Sequence, residues 1–309
     1  IYLADYHGPT PFISEMLNRN LFVINKLMEN RYDVVICHNL PSCYSVSHDR
    51  SGHYSRSVAY IHDPIQFTIT GNVFQLLFKS SYFRRSFAKK WLKCSDIILV
   101  NSKRSQKMLK TQTDLESTVL YPTIVTFNKT LPESRERFFL CVGRIGFHPA
   151  FDQLLKIIKS IPEMHLVIAG SWSHSSRYIV EMFSAEEQVK ERVKILTNPT
   201  DDTLTDLYRR ARAFIYPGIE NFNMSALEAI SNGCPVILSK ESGVCEILGD
   251  YTLTAESGSF DLFVNIVHSL LNDEKKAIEE GRRLYEIAKG HDTSNHMKQL
   301  TALLDSSIP

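Results

Sequence analysis

The sequence predicts an α/β fold of two domains, each built on a parallel sheet. Short apolar runs alternate with stretches of helical periodicity along most of the chain, which is typical of βαβ units. In the second half the runs are apolar on consecutive positions, as in "RFFLCVG", and this indicates strands covered on both faces. A length of 309 residues is enough for two domains of ordinary size.

The first half contains four candidate strands, a long candidate helix and then a hinge. The strands are "IYLADY", "YDVVIC", "SVAYIHD" and "SDIILVNS", and the helix is "FISEMLNRNLFVINKLMEN". Residues 121–137, "YPTIVTFNKTLPESRER", combine two prolines with polar side chains and have no sustained period. They predict a hinge between an amino-terminal domain over 1–130 and a carboxyl-terminal domain over 131–290.

The second half alternates strands and helices more cleanly. Its candidate strands are "RFFLCVG", "MHLVIAG", "VKILT", "AFIYPG" and "PVILS". Two helices have apolar residues at i, i+3, i+4 and i+7, namely Phe151, Leu154, Leu155 and Ile158, and then Leu204, Leu207, Tyr208 and Ala211. A last helix in 291–309 is expected to pack back on the first domain.

Composition and charge exclude several classes of function. Lys plus Arg number 35 against 34 for Asp plus Glu, so no overall positive field attracts nucleic acid. The six cysteines form no CxxC pair, and several lie in apolar runs, which favours buried thiols in the reducing cytoplasm. No apolar run approaches the ~18–20 residues that span a bilayer, and the amino end lacks a signal-peptide layout.

The residues just beyond the strands of the second half are the candidate binding residues. In open parallel sheets, ligands bind beyond the carboxyl ends of the strands. A helix that starts near Ser225 would direct free N–H groups to the same crevice, which suits a phosphate. The candidates at these strand ends are Gly143, Arg144, Ser171, Asn198, Glu220, Asn221, Phe222, Asn223 and Met224.

An ordered set of motifs carries a resemblance to a known family. The runs "CVGRIGFHPAFDQLL", "LVIAGSW" and "GIENFNMSALEAISNGCPVILS" resemble the donor-binding domain of glycosyltransferase family 4. The amino half matches loosely through "YDVVICHN", "AYIHDP" and "DIILVNSKRSQKML". The resemblance implies the GT-B fold, in which two Rossmann-like domains face each other across a cleft, and sugar transfer with retention at the anomeric carbon.

The resemblance also implies roles for the donor-site residues. Glu220 would contact hydroxyls of the donor sugar and Glu228 the nucleotide ribose, since a carboxylate accepts hydrogen bonds from adjacent hydroxyls. Backbone N–H groups from Asn223 to Ala226 would hold the diphosphate, and Arg144 would stabilise the charge on the leaving phosphate. The sequence has no DxD motif, so neither a metal ion nor a cofactor is expected. The nucleotide-diphosphate sugar is the donor substrate.

The acceptor side is predicted from the first domain. His62 and Asp63, in "AYIHDP", follow a candidate strand, and the family often has a histidine near the transferred sugar. His38 occupies a similar place after "DVVIC", and Gly8 lies in the turn "HGPTP", where the family has its acceptor loop. The alternative for both histidines is a structural role at a strand end.

Structural interpretations compete with the donor-site roles. Ser225 to Glu228 is also an S-x-x-E capping box, which would satisfy helix N–H groups without a ligand. Glu220 is alternatively an exposed loop carboxylate, and Arg144 an ion-pair partner.

One position departs from the family pattern. His148 and Pro149 stand where the family has a lysine that pairs with the diphosphate, and either His148 or Lys240 is a candidate to compensate. Besides the transferase, two hypotheses remain: a nucleotide-sugar-binding scaffold subunit that has lost turnover, and a sugar-nucleotide epimerase.

A basic, aromatic stretch raises the question of a membrane. Residues 72–93 contain six Lys or Arg side chains among Phe, Leu and Trp, and no acid. One interpretation is peripheral contact with an anionic membrane that carries a lipid-linked acceptor. The other is a surface helix that buries its aromatic side chains in the first domain.

Overall fold

The computed structural model describes residues 31–39, 54–64, 81–124, 130–146, 148–173, 175–251 and 253–306. Contacts between residues divide the chain into two compact units, Ile1–Tyr121 with Ala302–Pro309 and Pro122–Thr301. The domain boundaries near residues 130 and 290 stay predictions. The candidate strand "IYLADY" and the candidate helix over 12–30 lie outside the described residues.

The first unit is built on a four-stranded parallel sheet. Its described elements are β1 (Tyr32–His38), β2 (Tyr54–Ile61), α1 (Ser81–Leu92), β3 (Ile97–Val100), α2 (Lys103–Thr113) and β4 (Thr118–Val119). The strands lie in the order β1-β2-β3-β4. Ala88 and Leu92 of α1 pack into the core formed by the sheet, so one face of this helix is buried.

The second unit is built on a six-stranded parallel sheet. Its described helices and strands are β5 (Phe138–Val142), α3 (Pro149–Ser160), β6 (His165–Gly170), α4 (Ser176–Ser184), β7 (Val193–Thr197), α5 (Asp201–Arg210), β8 (Ala213–Tyr216), α6 (Met224–Ser231), β9 (Val236–Ser239), β10 (Thr254–Ala255), α7 (Phe260–Asn272) and α8 (Glu274–Lys289). The last helix, α9 (Thr293–Ser306), begins in this unit, and its residues from Ala302 onward are grouped with the first unit. All five apolar runs predicted for this half form strands. The predicted α/β fold with two parallel sheets is therefore confirmed.

In the second unit, the local sequence of α3 explains its buried face, and the local sequence of α5 explains where that helix begins and ends. Phe151, Leu154 and Ile158 of α3 are buried, as their spacing predicts. The Thr200 hydroxyl caps α5 by accepting a hydrogen bond from the Thr203 N–H at 3.2 Å. Acidic residues in the first turn of α5 and arginines in its last turn complement the helix dipole.

The strand order of the second sheet fixes where a ligand can bind. The order is β10-β9-β8-β5-β6-β7, so the chain winds to one side of β5 through β6 and β7 and to the other through β8, β9 and β10. Ligands of such sheets bind beyond the carboxyl ends of the two strands at this reversal. The loop after β5 begins with Gly143 and Arg144, and the loop after β8 leads to Glu220.

Candidate functional site

The loop between β8 and α6 is held by the segment that follows β9. The Glu220 N–H donates to the Ser242 hydroxyl at 3.2 Å, and the Gly243 N–H donates to the Glu220 carbonyl at 3.1 Å. The Val244 N–H donates to the Phe222 carbonyl at 2.8 Å. These bonds fix the backbone of Glu220, so its carboxylate is placed by the fold rather than by a flexible loop.

The Glu220 carboxylate has a buried tyrosine as its partner. The Tyr216 hydroxyl, at the end of β8, donates to Glu220 Oε1 at 2.6 Å. Burial and then the neighbouring Glu220 charge raise the pKa of Tyr216 well above its usual range, so the hydroxyl keeps its hydrogen. Among the described residues, Oε2 of Glu220 has no hydrogen-bond donor. With 40% of its side chain accessible to solvent, Glu220 can contact a ligand.

His148 connects the loop after β5 to the Glu220 loop. Its Nδ1 accepts a hydrogen bond from the Ala150 N–H at 3.2 Å, so His148 caps the start of α3. The same nitrogen lies 3.1 Å from the Tyr216 hydroxyl, and Nε2 lies 3.9 Å from Glu220 Oε1. A Cβ on Gly218 would lie 2.6 Å from the His148 ring, so the absence of a side chain there lets the two loops meet.

Glu228 is held by a second buried tyrosine. The Tyr208 hydroxyl of α5 donates to Glu228 Oε2 at 3.0 Å. Burial raises the pKa of the Glu228 carboxyl, and the nearby Asp201 adds to this effect. Because the Glu228 side chain bonds to α5 and not to the start of its own helix, the capping-box interpretation of Ser225 and Glu228 is wrong.

The cap of α6 is Asn223. Its Oδ1 accepts a hydrogen bond from the Ala226 N–H at 2.9 Å, and its backbone is left-handed with φ 76°. Asn tolerates this left-handed conformation better than most side chains do. The Ala226 N–H is used by the cap. The N–H groups of Met224 and Ser225 have no acceptor within the helix, and such groups are suited to an anion.

Arg144 extends from the loop after β5. It is exposed and forms no hydrogen bond or ion pair with the residues that the structure describes, so the ion-pair interpretation finds no support in this part of the chain. Gly143 leaves open space beside it, because a Cβ there would meet no atom within 4 Å. The guanidinium group of Arg144 can donate two parallel hydrogen bonds, and the backbone of Gly143 beside it is unobstructed. This arrangement is suited to a phosphate.

The tips of β5, β6 and β7 are tied together by hydrogen bonds. The Ile145 N–H donates to the Ser171 carbonyl at 3.1 Å, and the Asn198 N–H donates to the Gly170 carbonyl at 2.7 Å. Asn198 Oδ1 accepts from the Trp172 N–H at 3.0 Å. The predicted residues Ser171 and Asn198 are therefore both exposed on one connected edge of the sheet.

The predicted acceptor residues of the first unit lie at the end of β2. Asn39 Oδ1 accepts from the N–H groups of His62, at 2.8 Å, and Asp63, at 3.2 Å. Asn101 Nδ2 donates to the His62 carbonyl at 2.8 Å. Gly8 lies outside the described residues. In the described ranges, no three His, Cys, Asp or Glu side chains converge as a metal site would require.

Tyr208 and Tyr216 are site residues that the sequence patterns do not predict. Tyr208 is only one member of an apolar stripe there, and Tyr216 only part of the strand "AFIYPG". The available signal is general: a buried tyrosine needs a partner for its hydroxyl. Tyr216 stands four residues before Glu220, at the end of the strand that leads to it.

Most of the second unit matches the model of a known protein family. The model, described as glycosyl transferases group 1, matches residues 124–291, more than half of the chain. O-antigen chain mannosyltransferase B of Escherichia coli is 35% identical over 94 residues, which cover 30% of this chain and 25% of that protein. The matched segments span 25 to 46% of the length of the first curated relatives.

Solved structures share the fold over most of the chain. Sucrose-phosphate synthase from Thermosynechococcus elongatus has a TM-score of 0.80 at 17% identity, covering 98% of this chain and 81% of that one. Anabaena HepE in complex with UDP and glucose has a TM-score of 0.76 at 17% identity, covering 97% and 84%. The neighbours are GT-B glycosyltransferases, so the GT-B fold implied by the sequence resemblance is confirmed.

Proposed function

This chain belongs to the glycosyl transferases group 1 family, and on that premise we propose that it is a retaining glycosyltransferase of family 4. It moves a sugar from a nucleotide-diphosphate sugar to a saccharide or lipid-linked acceptor without a bound metal ion or cofactor. The proposal includes a cytoplasmic location.

One observation carries the proposal. Glu220 and Glu228 flank the start of α6, and each has one oxygen bound by a buried tyrosine hydroxyl. Among the described residues, no donor contacts the other oxygen of either carboxylate. Two such acceptors beside the unused N–H groups of Met224 and Ser225 suit a ligand with hydroxyls at both ends and phosphates between them. A nucleotide-diphosphate sugar has this chemistry.

The proposed reaction gives each of these residues a role. Glu220 Oε2 accepts a hydrogen bond from a sugar hydroxyl, and Glu228 Oε1 accepts one from the ribose. The acceptor hydroxyl attacks the anomeric carbon on the face from which the diphosphate leaves. Its proton passes to the leaving phosphate oxygen, and Arg144 stabilises the charge that develops there. His62, with Asp63, contacts the acceptor or the transferred sugar through hydrogen bonds.

The names of relatives and neighbours support a nucleotide-sugar donor and do not select a single one. The name of one relative specifies mannose transfer, and one neighbour was solved with UDP and glucose. We propose a nucleotide-diphosphate hexose on this basis. Exposed Trp172, at the tip of β6, is 50% accessible and is the candidate contact for the base.

A nucleotide-sugar-binding subunit without turnover is the second candidate. His148 and Pro149 occupy the position of the family's lysine, and the His148 ring is engaged in capping α3. Lys240 does not offer a free replacement, because its ammonium group is paired with Glu256. A site that binds the donor and leaves it intact would result from the loss of this second cation.

The test is an assay of donor use with UDP-, GDP- and ADP-hexoses, with and without saccharide acceptors and with excess EDTA. We expect one nucleotide to be released in EDTA, and NMR of the product to show the anomeric configuration of the donor. Glu220→Gln should abolish this release, whereas Glu279→Gln, on the exposed face of α8, should not. Donor binding without release would favour the binding subunit, inversion would refute retention, and absence of binding would refute both candidates.

Contact with a membrane completes the proposal. In the described part of residues 72–93, α1 buries Ala88 and Leu92, while Arg85, Lys90 and Lys93 are exposed. Within the described ranges, none of the helices has both the length and the apolar character that crossing a bilayer requires. We expect sedimentation with vesicles containing anionic lipid but not with neutral ones, and loss of binding in a Lys90→Gln, Lys93→Gln double variant. Equal binding to both vesicle types would refute this contact.

A further inference from the structure

Two histidines of the first unit meet at the carboxyl ends of adjacent parallel strands. Nδ1 of His38, at the end of β1, lies 2.7 Å from Nε2 of His62, which directly follows β2. The ring planes are parallel within 3°, and the ring centres are 5.0 Å apart. Face-to-face rings would be separated by about 3.5–4.0 Å. The rings therefore meet edge to edge, with the two nitrogens facing each other as a hydrogen bond requires.

The surrounding structure holds this pair in place. Asn39 follows His38, and its Oδ1 accepts a hydrogen bond from the His62 N–H at 2.8 Å. Its own N–H donates to the Tyr60 carbonyl at 2.9 Å, so the two strand ends are pinned together. The buried Tyr60 ring lies 4.2 Å from the His62 ring and 5.5 Å from the His38 ring, measured between centres. The geometry of the pair is thus set by the sheet and does not depend on a ligand.

Burial also keeps both rings neutral. It lowers the pKa of His38, and burial together with the repulsion from a protonated His38 lowers the pKa of His62 to about 4. The Tyr60 hydroxyl, the titratable group packed on both rings, remains protonated because burial raises its pKa. At neutral pH the pair therefore carries no net charge, and His62 suits a hydroxyl better than a phosphate.

Because both rings are neutral, the hydrogen bond between them links their tautomers. A hydrogen bond between two imidazole nitrogens needs a hydrogen on one of them and a lone pair on the other. If His38 carries its hydrogen on Nδ1, His62 must carry its own on Nδ1 as well. If instead His62 carries its hydrogen on Nε2, His38 must do the same. Both histidines therefore have the same tautomer, and the state of one determines the state of the other.

We propose that His38 is a positioning residue that determines whether Nδ1 of His62 donates a hydrogen bond to a saccharide hydroxyl or accepts one from it. None of the described residues hydrogen-bonds to this nitrogen, so it remains for a ligand. The inference rests on the proposed function of His62 in contacting the acceptor or the transferred sugar. His38 itself touches no substrate and acts only through the His62 ring.

The first test needs no substrate. Long-range ¹H–¹⁵N spectra of the ¹⁵N-histidine-labelled full chain report the tautomer of each ring, and His38→Ala and His62→Ala assign the two signals. We expect His38 and His62 to show the same tautomer at pH 7, and we expect the His62 signal to become a mixture of tautomers in His38→Ala. Opposite tautomers in the wild type, or an unchanged His62 signal in His38→Ala, would overturn the proposal. His165→Ala, at the exposed start of β6, is the control.

The second test uses transfer kinetics once a donor is known. His38→Ala should lower kcat/KM for transfer by about 10-fold, while leaving the affinity for the nucleotide without its sugar unchanged. The same substitution in a His62→Ala background should add no further loss, because its effect passes through His62. An additional loss in that background would overturn the positioning role. If the spectra agree with expectation and no transfer occurs with any donor, the proposed function fails and the coupling of the two histidines stands.

Discussion

The Tyr216 hydroxyl donates a hydrogen bond of 2.6 Å to Oε1 of Glu220, and this bond determines how much of the carboxylate a sugar can use. A hydroxyl has one hydrogen, so Tyr216 cannot also donate to His148, which accepts from the Ala150 N–H instead. Glu220 therefore offers a ligand one free oxygen rather than two. Tyr208 and Glu228 repeat the arrangement at the other end of the loop.

Replacing Tyr216 with phenylalanine tests whether the tyrosine positions Glu220. The substitution keeps the ring and removes a hydrogen bond to a charged group, which is worth about 1.5–3 kcal/mol. We expect kcat/KM for the donor to fall about 10-fold or more, since 1.4 kcal/mol corresponds to a factor of about 10. Tyr251→Phe is the control, because it removes a buried hydroxyl that bonds to Val236 away from both glutamates. Equal kinetics in Tyr216→Phe and the wild type would show that Glu220 needs no such support.

Arg144 and Arg137 provide a matched pair at the two ends of β5. Both arginines are exposed, but Arg144 follows the strand at its carboxyl end and Arg137 precedes it. Loss of a cation that stabilises the leaving phosphate lowers kcat by about 10²-fold by analogy with a single oxyanion donor. We expect Arg144→Ala to show this loss, and the nucleotide-induced rise in melting temperature to shrink in the same variant. Arg137→Ala should match the wild type in both measurements, and a similar effect of the two substitutions would argue against a specific phosphate contact.

Local sequence patterns were sufficient for eight of the ten described strands, while β4 and β10, of two residues each, are too short to leave an apolar run. Arg144 and Glu220 are predicted as site residues because each lies just beyond the carboxyl end of an apolar run, a position that can be identified without tertiary information. The partners of these residues depend on which strands become neighbours. The sequence places Tyr216 far from His148, and only the pairing of β5 with β8 brings them together.

The start of α6 likewise shows that a local pattern does not identify the tertiary partner of a residue. The motif from Ser225 to Glu228 predicts a capping box from local spacing alone. In the structure Tyr208 of α5 binds Glu228, and Asn223 supplies the cap through a left-handed turn. A tertiary contact thus overrides a local signal, and the glutamate that would have capped a helix is left available to a ligand.

Glu228→Gln should raise the stability of the fold and lower the affinity for nucleotide. Burial raises the folded-state pKa of Glu228 above its ordinary value of 4.5. At pH values between 4.5 and the raised pKa, the folded state therefore binds more protons than the unfolded state. The contribution of this group to stability therefore falls as pH rises through the raised pKa. We expect Glu228→Gln to melt at a higher temperature than the wild type at pH 7, with the difference shrinking towards pH 4.5.

The same variant should bind nucleotide less tightly at pH 7, because an amide replaces the carboxylate that accepts from the ribose. The difference should shrink at pH 4.5, where the raised pKa leaves the wild-type carboxyl mostly protonated. Differential scanning calorimetry at pH 7 and 4.5 measures the first effect and titration calorimetry the second. Glu279→Gln, an exposed carboxylate of α8, is expected to change neither. A lower melting temperature for Glu228→Gln at pH 7 would mean that the bond from Tyr208 outweighs the penalty of burial.

The same added methyl group should change the stability of the fold at one glycine of the second unit and leave it unchanged at another. On Gly218 the new Cβ would lie 2.6 Å from Cε1 of His148 and 2.9 Å from Cε1 of Tyr216, so both rings must shift. Such overpacking destabilises a protein by about 1–3 kcal/mol. On Gly143 the Cβ would meet no atom within 4 Å, and the backbone is not left-handed, so the folded chain should tolerate it. We therefore expect urea titration to show a lower midpoint for Gly218→Ala and an unchanged midpoint for Gly143→Ala.

Donor affinity should nevertheless fall in Gly143→Ala, because its methyl group fills the space in which a diphosphate would approach the backbone. A Gly143→Ala variant that binds every donor as the wild type does would exclude this backbone from the donor site.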